Sequence, residues 1–193
     1  GILTHPFLLA AHAYHDNTSP IHRGVFISRN VLGRLLKPPV EAVAFKDDEF
    51  DSALTMREKI TQLTKATSCM ECHRVINPVG FSLENFDAVG RHRLEDNRKP
   101  VDTVTRYVNE NEREIPIGSI HDVATMAAGS RLAHEAFITH LFHHFTKQSI
   151  NAYGADTKAS LHAKFVKSGY NIRSLLVELT KVAVSHKAEV KPL

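Results

Sequence analysis

Tryptophan is absent from this 193-residue chain, methionine occurs three times and cysteine only twice. So few cysteines exclude a disulfide-built scaffold. No apolar run approaches the roughly 20 residues that span a bilayer, so no membrane span is expected. A clustered basic stripe is also missing. Lys plus Arg number 24 against 21 Asp plus Glu, a net charge of +3, which argues against a nucleic-acid partner. Internal repeats and low-complexity tracts are lacking. Hydrophobic residues at 42 % and charged residues at 23 % exclude a mainly disordered or collagen-like chain. The opening Gly1-Ile2-Leu3-Thr4 has neither a basic region nor an apolar signal core. The chain therefore reads as part of a longer protein, with any export signal upstream.

What is present is a motif. Both cysteines fall in Cys69-Met70-Glu71-Cys72, and His73 follows at once. C-x-x-C-H is the attachment pattern of c-type haem. Two thiols three apart on a helical turn can each add to one porphyrin vinyl group, and the next imidazole then ligates the iron. Chance placement of two cysteines in this pattern occurs on the order of one time in a thousand. Three other readings compete. A thioredoxin-like dithiol would follow a buried strand, whereas Leu63-Thr64-Lys65-Ala66-Thr67-Ser68 reads as a frayed helix end. A structural zinc site needs a second ligand pair, which only histidines can supply here. A disulfide across two residues closes too short a loop to stabilise much. One covalently attached haem c is the expectation.

The rest of the chain reads as mostly α. Thr4 and Pro6 start a short helix over Phe7–Ala11. Ser19-Pro20 opens another, with apolar Ile21, Val25, Leu32, Leu35 and Leu36, stopped by Lys37-Pro38-Pro39. The stretch to Ser52 reads as an acidic loop. Thr55-Met56-Arg57-Glu58 is a capping box before the stripe Met56, Ile60 and Leu63. Asn77-Pro78-Val79-Gly80 reads as a turn, and Ser82 as the cap of a brief helix through Phe86. Thr103–Val108 and Glu114–Ile117 suggest a small hairpin. Four helical stretches follow: His121–Ala128, Leu132–Lys147, Asp156–Lys167 and Ile172–Lys187, with Gly169 at a C-cap position. The expected fold is a helical, cytochrome c-like haem domain with a small β-hairpin and a C-terminal helical bundle. The haem module is placed at 1–112 and the helical module at 113–193, packed as one compact unit.

Several segments carry a resemblance. Thr18-Ser19-Pro20-Ile21-His22-Arg23-Gly24-Val25-Phe26, Cys69 to His73, and Asn77 through Phe86 to Arg91 are similar to the closing region of large planctomycete-type multidomain c-type cytochromes. The similarity continues through Leu141-Phe142-His143-His144 and Lys147-Gln148 to Ala152-Tyr153-Gly154, in consistent order over nearly the whole chain. It implies two adjoining modules long listed as domains of unknown function, the first ending near Arg93. It further implies an exported, periplasmic domain with covalent haem, moving electrons for a larger protein and meeting a redox partner.

His73 would be the proximal iron ligand, and the distal position stays open among several residues. Of the methionines, Met70 is inside the motif, Met56 continues an apolar stripe, and Met126 is a candidate. His22 borders the apolar stripe of its helix and ranks first. On the Leu132–Lys147 helix, Phe137, Leu141 and His144 share a face, so His144 ranks second. His140 and His144 also have a spacing that suits a divalent metal. Met126 or an open site comes after them. Arg23, Arg74 and Arg91, with Arg93, are candidates for the haem propionates, since a guanidinium fork matches a carboxylate. The Asn77-Pro78 turn offers an acceptor for the second ring nitrogen of His73. Phe81 and Phe86 are expected to fill the core beside the porphyrin. Electron transfer is the leading function. The alternative is a peroxidase- or oxygenase-like enzyme with an open distal site, in which His15, His22 or His144 acts as acid–base. A sensor or structural haem is a third reading.

Overall fold

The computed structural model describes residues 1–37 and 43–185. Its contacts divide the chain into two compact units, Gly1–Gly129 and Ser130–Leu193. The first unit therefore extends past residue 112: Tyr107 and Ile117 of the hairpin and Val123 of the helix after it belong to its core. Among the described residues the fold is mostly helical, with two small antiparallel strand pairs.

In the first unit, Pro6 at the first helical position starts α1 (Pro6–Ala11). Ser19 caps α2 (Pro20–Asn30), accepting from the His22 N–H at 3.3 Å. α2 ends earlier than its apolar pattern suggests. Gly33 takes a left-handed φ of 70°, turning the chain so that Leu32 enters the core while Leu35 is 91 % exposed. The stop expected at Pro38-Pro39 lies outside the described residues. The Thr55 capping box forms as read: Glu58 N–H donates to Thr55 Oγ1 at 3.2 Å, and Thr55 N–H to Glu58 Oε2 at 2.7 Å. It launches α3 (Met56–Leu63), whose Met56 and Ile60 are buried against Phe81.

α4 (Thr67–Phe81) differs most from expectation. The Asn77-Pro78-Val79-Gly80 segment is helix, not turn, and Ser82 closes α4 instead of opening a helix. Residues 82–85 are turn, and Ser82 Oγ donates to the Val79 carbonyl at 2.7 Å. Tertiary packing overrides the local preference. Residues 75–81 are all buried, and Pro78 forgoes only one ladder bond, to Arg74, whose side chain is on the exposed edge. An added Cβ on Gly80 would lie 2.0 Å from the Pro20 carbonyl oxygen, and one on Gly24 would lie 2.3 Å from that of Ile76. Pairing 20 with 80 and 24 with 76 makes α2 and α4 antiparallel neighbours at backbone contact.

After α4 come β1 (Glu95–Asp96) paired with β2 (Lys99–Pro100), and β3 (Thr105–Val108) paired with β4 (Glu114–Ile117). The second pair is the expected hairpin. The first was not anticipated, and its turn places Asn97 and Arg98 at positive φ. α5 (Ile120–Gly129) completes the unit. Its core joins Leu9, Ile27, Val75, Val79, Leu83, Tyr107 and Val123.

The second unit holds α6 (Arg131–Thr146), α7 (Thr157–Lys167) and α8 (Ile172–Ser185). The expected end of α8 at Lys187 lies outside the described residues. The buried face of α6 is Ala133, Ile138 and Phe142, so the face expected from Phe137, Leu141 and His144 is rotated: Phe137 and His144 are exposed. After α7, Gly169 adopts φ 65°. Gly169 N–H donates to the Val166 carbonyl at 3.0 Å and Tyr170 N–H to that of Phe165 at 2.9 Å, a Schellman ending.

Candidate functional site

The first half of α4 carries the motif. A helix advances about 100° per residue, so Cys69, His73, Ile76 and Gly80 form one stripe with Cys72 beside it. The stripe's C-terminal end is pressed onto α2, and its N-terminal end presents the two thiols and the imidazole, all half-buried. Both cysteines are free thiols. Residues three apart on a helix face the same way, which is the arrangement two adjacent porphyrin vinyl groups require.

His73 is held from behind. Its Nδ1 lies 2.8 Å from Asn77 Oδ1, and Asn77 Nδ2 lies 2.8 Å from Thr64 Oγ1. Thr64 Oγ1 in turn donates to the Ile60 carbonyl at 2.8 Å. A metal-bound histidine ordinarily has such a partner on its second nitrogen. The donor set fits a c-type haem: two accessible thiols one turn apart and an imidazole oriented by a buried amide. Among the described residues there is no cluster of three or more His, Cys, Asp or Glu that would hold a bare metal ion.

The other candidates are dispersed. Arg23 is fully buried, and its guanidinium donates to the carbonyls of Leu9, Leu83, Phe86 and Asp87 at 2.6–3.5 Å. That fork is committed to backbone, tying α1 and the turn after α4 to α2, instead of waiting for a propionate. Arg74 pairs with Glu112 at 2.7 Å and Arg91 with Asp87 at 2.9 Å, both on the surface. His22 is exposed and about 160° round α2 from Gly24, so its ring is directed away from α4. Its ring neighbour is Tyr14, at 5.2 Å. Burial, with His22 and Arg23 nearby, lowers His12 below the ordinary histidine range. Met126 packs against the first unit's core, and His144 lies in the second unit. His92 meets Phe86 edge-on at 5.6 Å, and Phe81 lies under the Arg57 guanidinium at 4.9 Å.

Beside Arg23 sits a buried ionic network that sequence reading missed. Glu84 Oε2 accepts from Thr18 at 2.8 Å and from Arg93 at 2.9 Å, and Arg93 also reaches Asp96 at 2.6 Å. Asp96 in turn accepts from the Met56 N–H at 2.7 Å, at the start of α3. Burial pushes the Glu84 carboxyl up to about 7 against the pull of both arginines. Thr18 lies 66 residues before Glu84 and Arg93 nine after it, and nothing in that spacing signals the contact.

Residues 1–96 match PSCyt3, a protein family of unknown function (DUF1588). No curated protein and no solved structure matches the chain. The PSCyt3 match takes in α1 to α4, hence Cys69, Cys72, His73, Asn77 and Thr64, and the network from Thr18 to Asp96. It ends close to the limit at Arg93 that the sequence resemblance implies. The β3–β4 hairpin, α5 and the whole second unit lie beyond the PSCyt3 match.

Proposed function

We propose that this chain is a mono-haem c-type cytochrome unit acting in electron transfer for a larger exported protein. The observation that carries the reading is the stripe on α4: two free thiols and an imidazole already bound through Nδ1. On attachment each Sγ–H would add across a vinyl C=C bond, sulfur to one carbon and hydrogen to the other, with no leaving group. The haem would supply one-electron chemistry between ferrous and ferric iron. The chain's own residues do the rest. Cys69 and Cys72 would anchor the ring, His73 would hold its iron, and Arg74, next in sequence, would pair with a propionate. Its pair with Glu112 is exposed and exposed pairs are weak, so that guanidinium is free to exchange partners.

A unit of this kind docks a redox partner through a small, weak interface. Bacterial haem c attachment takes place outside the cytoplasm, which puts the domain in or facing the periplasm. No described helix is long and apolar enough to cross a membrane.

The test is mass spectrometry of the chain produced with a cytochrome c maturation system. A gain of about 616 Da is expected from a two-thioether adduct, lost when Cys69 and Cys72 are replaced by alanine. Unmodified wild-type chain would refute the reading. The spectrum of the loaded protein also reads the sixth position: a low-spin form that turns high-spin on His22→Ala assigns His22, and an unchanged spectrum removes it.

A further inference from the structure

The contact between His73 and Asn77 has a direction, and it is decided two links back. The Ile60 carbonyl can only accept, so the Thr64 hydroxyl hydrogen is directed to it at 2.8 Å. Thr64 then has only lone pairs left for its other neighbour, the Asn77 side chain at 2.8 Å. Asn77 must therefore turn its NH2 group to Thr64, which leaves Oδ1 facing His73. An amide oxygen only accepts, so the hydrogen in the 2.8 Å contact belongs to His73 Nδ1. A neutral imidazole carries one N–H, and Nε2 keeps its lone pair. Asn77 is 6 % exposed and Thr64 3 % exposed, so water does not compete for the buried link between them.

We propose that Thr64 and Asn77 are positioning residues that lock His73 in the Nδ1–H tautomer, presenting Nε2 as the metal-binding atom. The lock is a property of the chain itself. Its consequence, that the Asn77 acceptor strength tunes the potential of the bound iron, rests on the haem reading above.

Long-range proton–nitrogen NMR of the full chain without haem, at about pH 8.5 where histidines are ordinarily neutral, reads the lock directly. The His73 ring is assigned by difference from His73→Gln. The wild type should show the Nδ1–H pattern. Thr64→Val, which keeps the shape but removes the acceptor for the amide, should bring in the Nε2–H form, and Thr64→Ser should restore the original. A dominant Nε2–H form in the wild type, or no change in Thr64→Val, would overturn the lock. In the loaded protein Asn77→Asp should shift the midpoint potential downward, because a carboxylate accepts from Nδ1–H more strongly. An unchanged potential would overturn the tuning. Failure to gain haem mass in the wild type would instead refute the proposed function and leave the NMR result standing.

Discussion

Glu84 is 2 % exposed, and its environment divides its two oxygens. Oε2 receives Thr18 and Arg93, whereas Oε1 makes no hydrogen bond among the described residues and faces Arg23 at a loose 4.0 Å. Desolvation outweighs these partners, so the carboxyl stands at about 7 in the folded chain against 4.5 in the reference state. Between those values the folded chain holds a proton that the unfolded chain has released. The stabilising contribution is thus complete below about pH 4.5 and lost as pH rises through about 7. Urea unfolding across this window should show stability falling by a few kcal/mol with rising pH. Glu84→Gln, which cannot ionise, should flatten that decline. An equal slope in both proteins would show that Glu84 is not the titrating group. The same neighbourhood explains why Arg23 misleads as a propionate candidate. Its position next to His22 in sequence is visible, but the four carbonyls that enclose it come from α1 and the turn after α4.

At the scale of elements, α4 is where local sequence and tertiary structure disagree, and the disagreement hides part of the site. Read as a turn, Asn77-Pro78 offers His73 a nearby backbone acceptor. Read as helix, Asn77 sits four residues on from His73, on the same face, and offers its side-chain amide. The spacing was legible, but the helix was not, because what keeps Pro78 helical is burial against α2. Thr64 was invisible for a similar reason, since it meets Asn77 only through the turn between α3 and α4. The capping box at Thr55, the Gly169 ending and the β3–β4 hairpin were legible because each is encoded within a few residues. The α2–α4 contact is testable through its glycines. Gly→Ala inside a helix ordinarily stabilises by about 1 kcal/mol. At Gly80 the new methyl would meet the Pro20 carbonyl at 2.0 Å, which is backbone and cannot swing aside. Gly80→Ala is therefore expected to destabilise by about 2 kcal/mol or more in denaturant titration. Gly129→Ala, with nothing within 4 Å of its added carbon, should be neutral or slightly stabilising. Equal effects at both positions would remove the close-crossing argument.

At the scale of the molecule, every residue of the two clusters built around Ile27 and Ile60 lies before residue 130, and every residue of the cluster around Phe142 lies after it. Each unit thus buries apolar side chains of its own, the condition for an independently folding piece. The α4 stripe, its Asn77–Thr64 support and the Glu84 network all fall in the first unit. Attachment chemistry needs only these groups and a fold that presents them. Residues 1–129, produced alone with a maturation system, should fold cooperatively and gain about 616 Da. A cut at residue 112 should do worse, because it removes β4 and α5 and with them Ile117 and Val123, both fully enclosed in the first core. The measurement is the fraction of each chain carrying the added mass, alongside its thermal unfolding. If 1–112 matched 1–129 on both, β4 and α5 would be dispensable to folding and attachment. If neither piece gained mass while the full chain did, the second unit would be required for attachment.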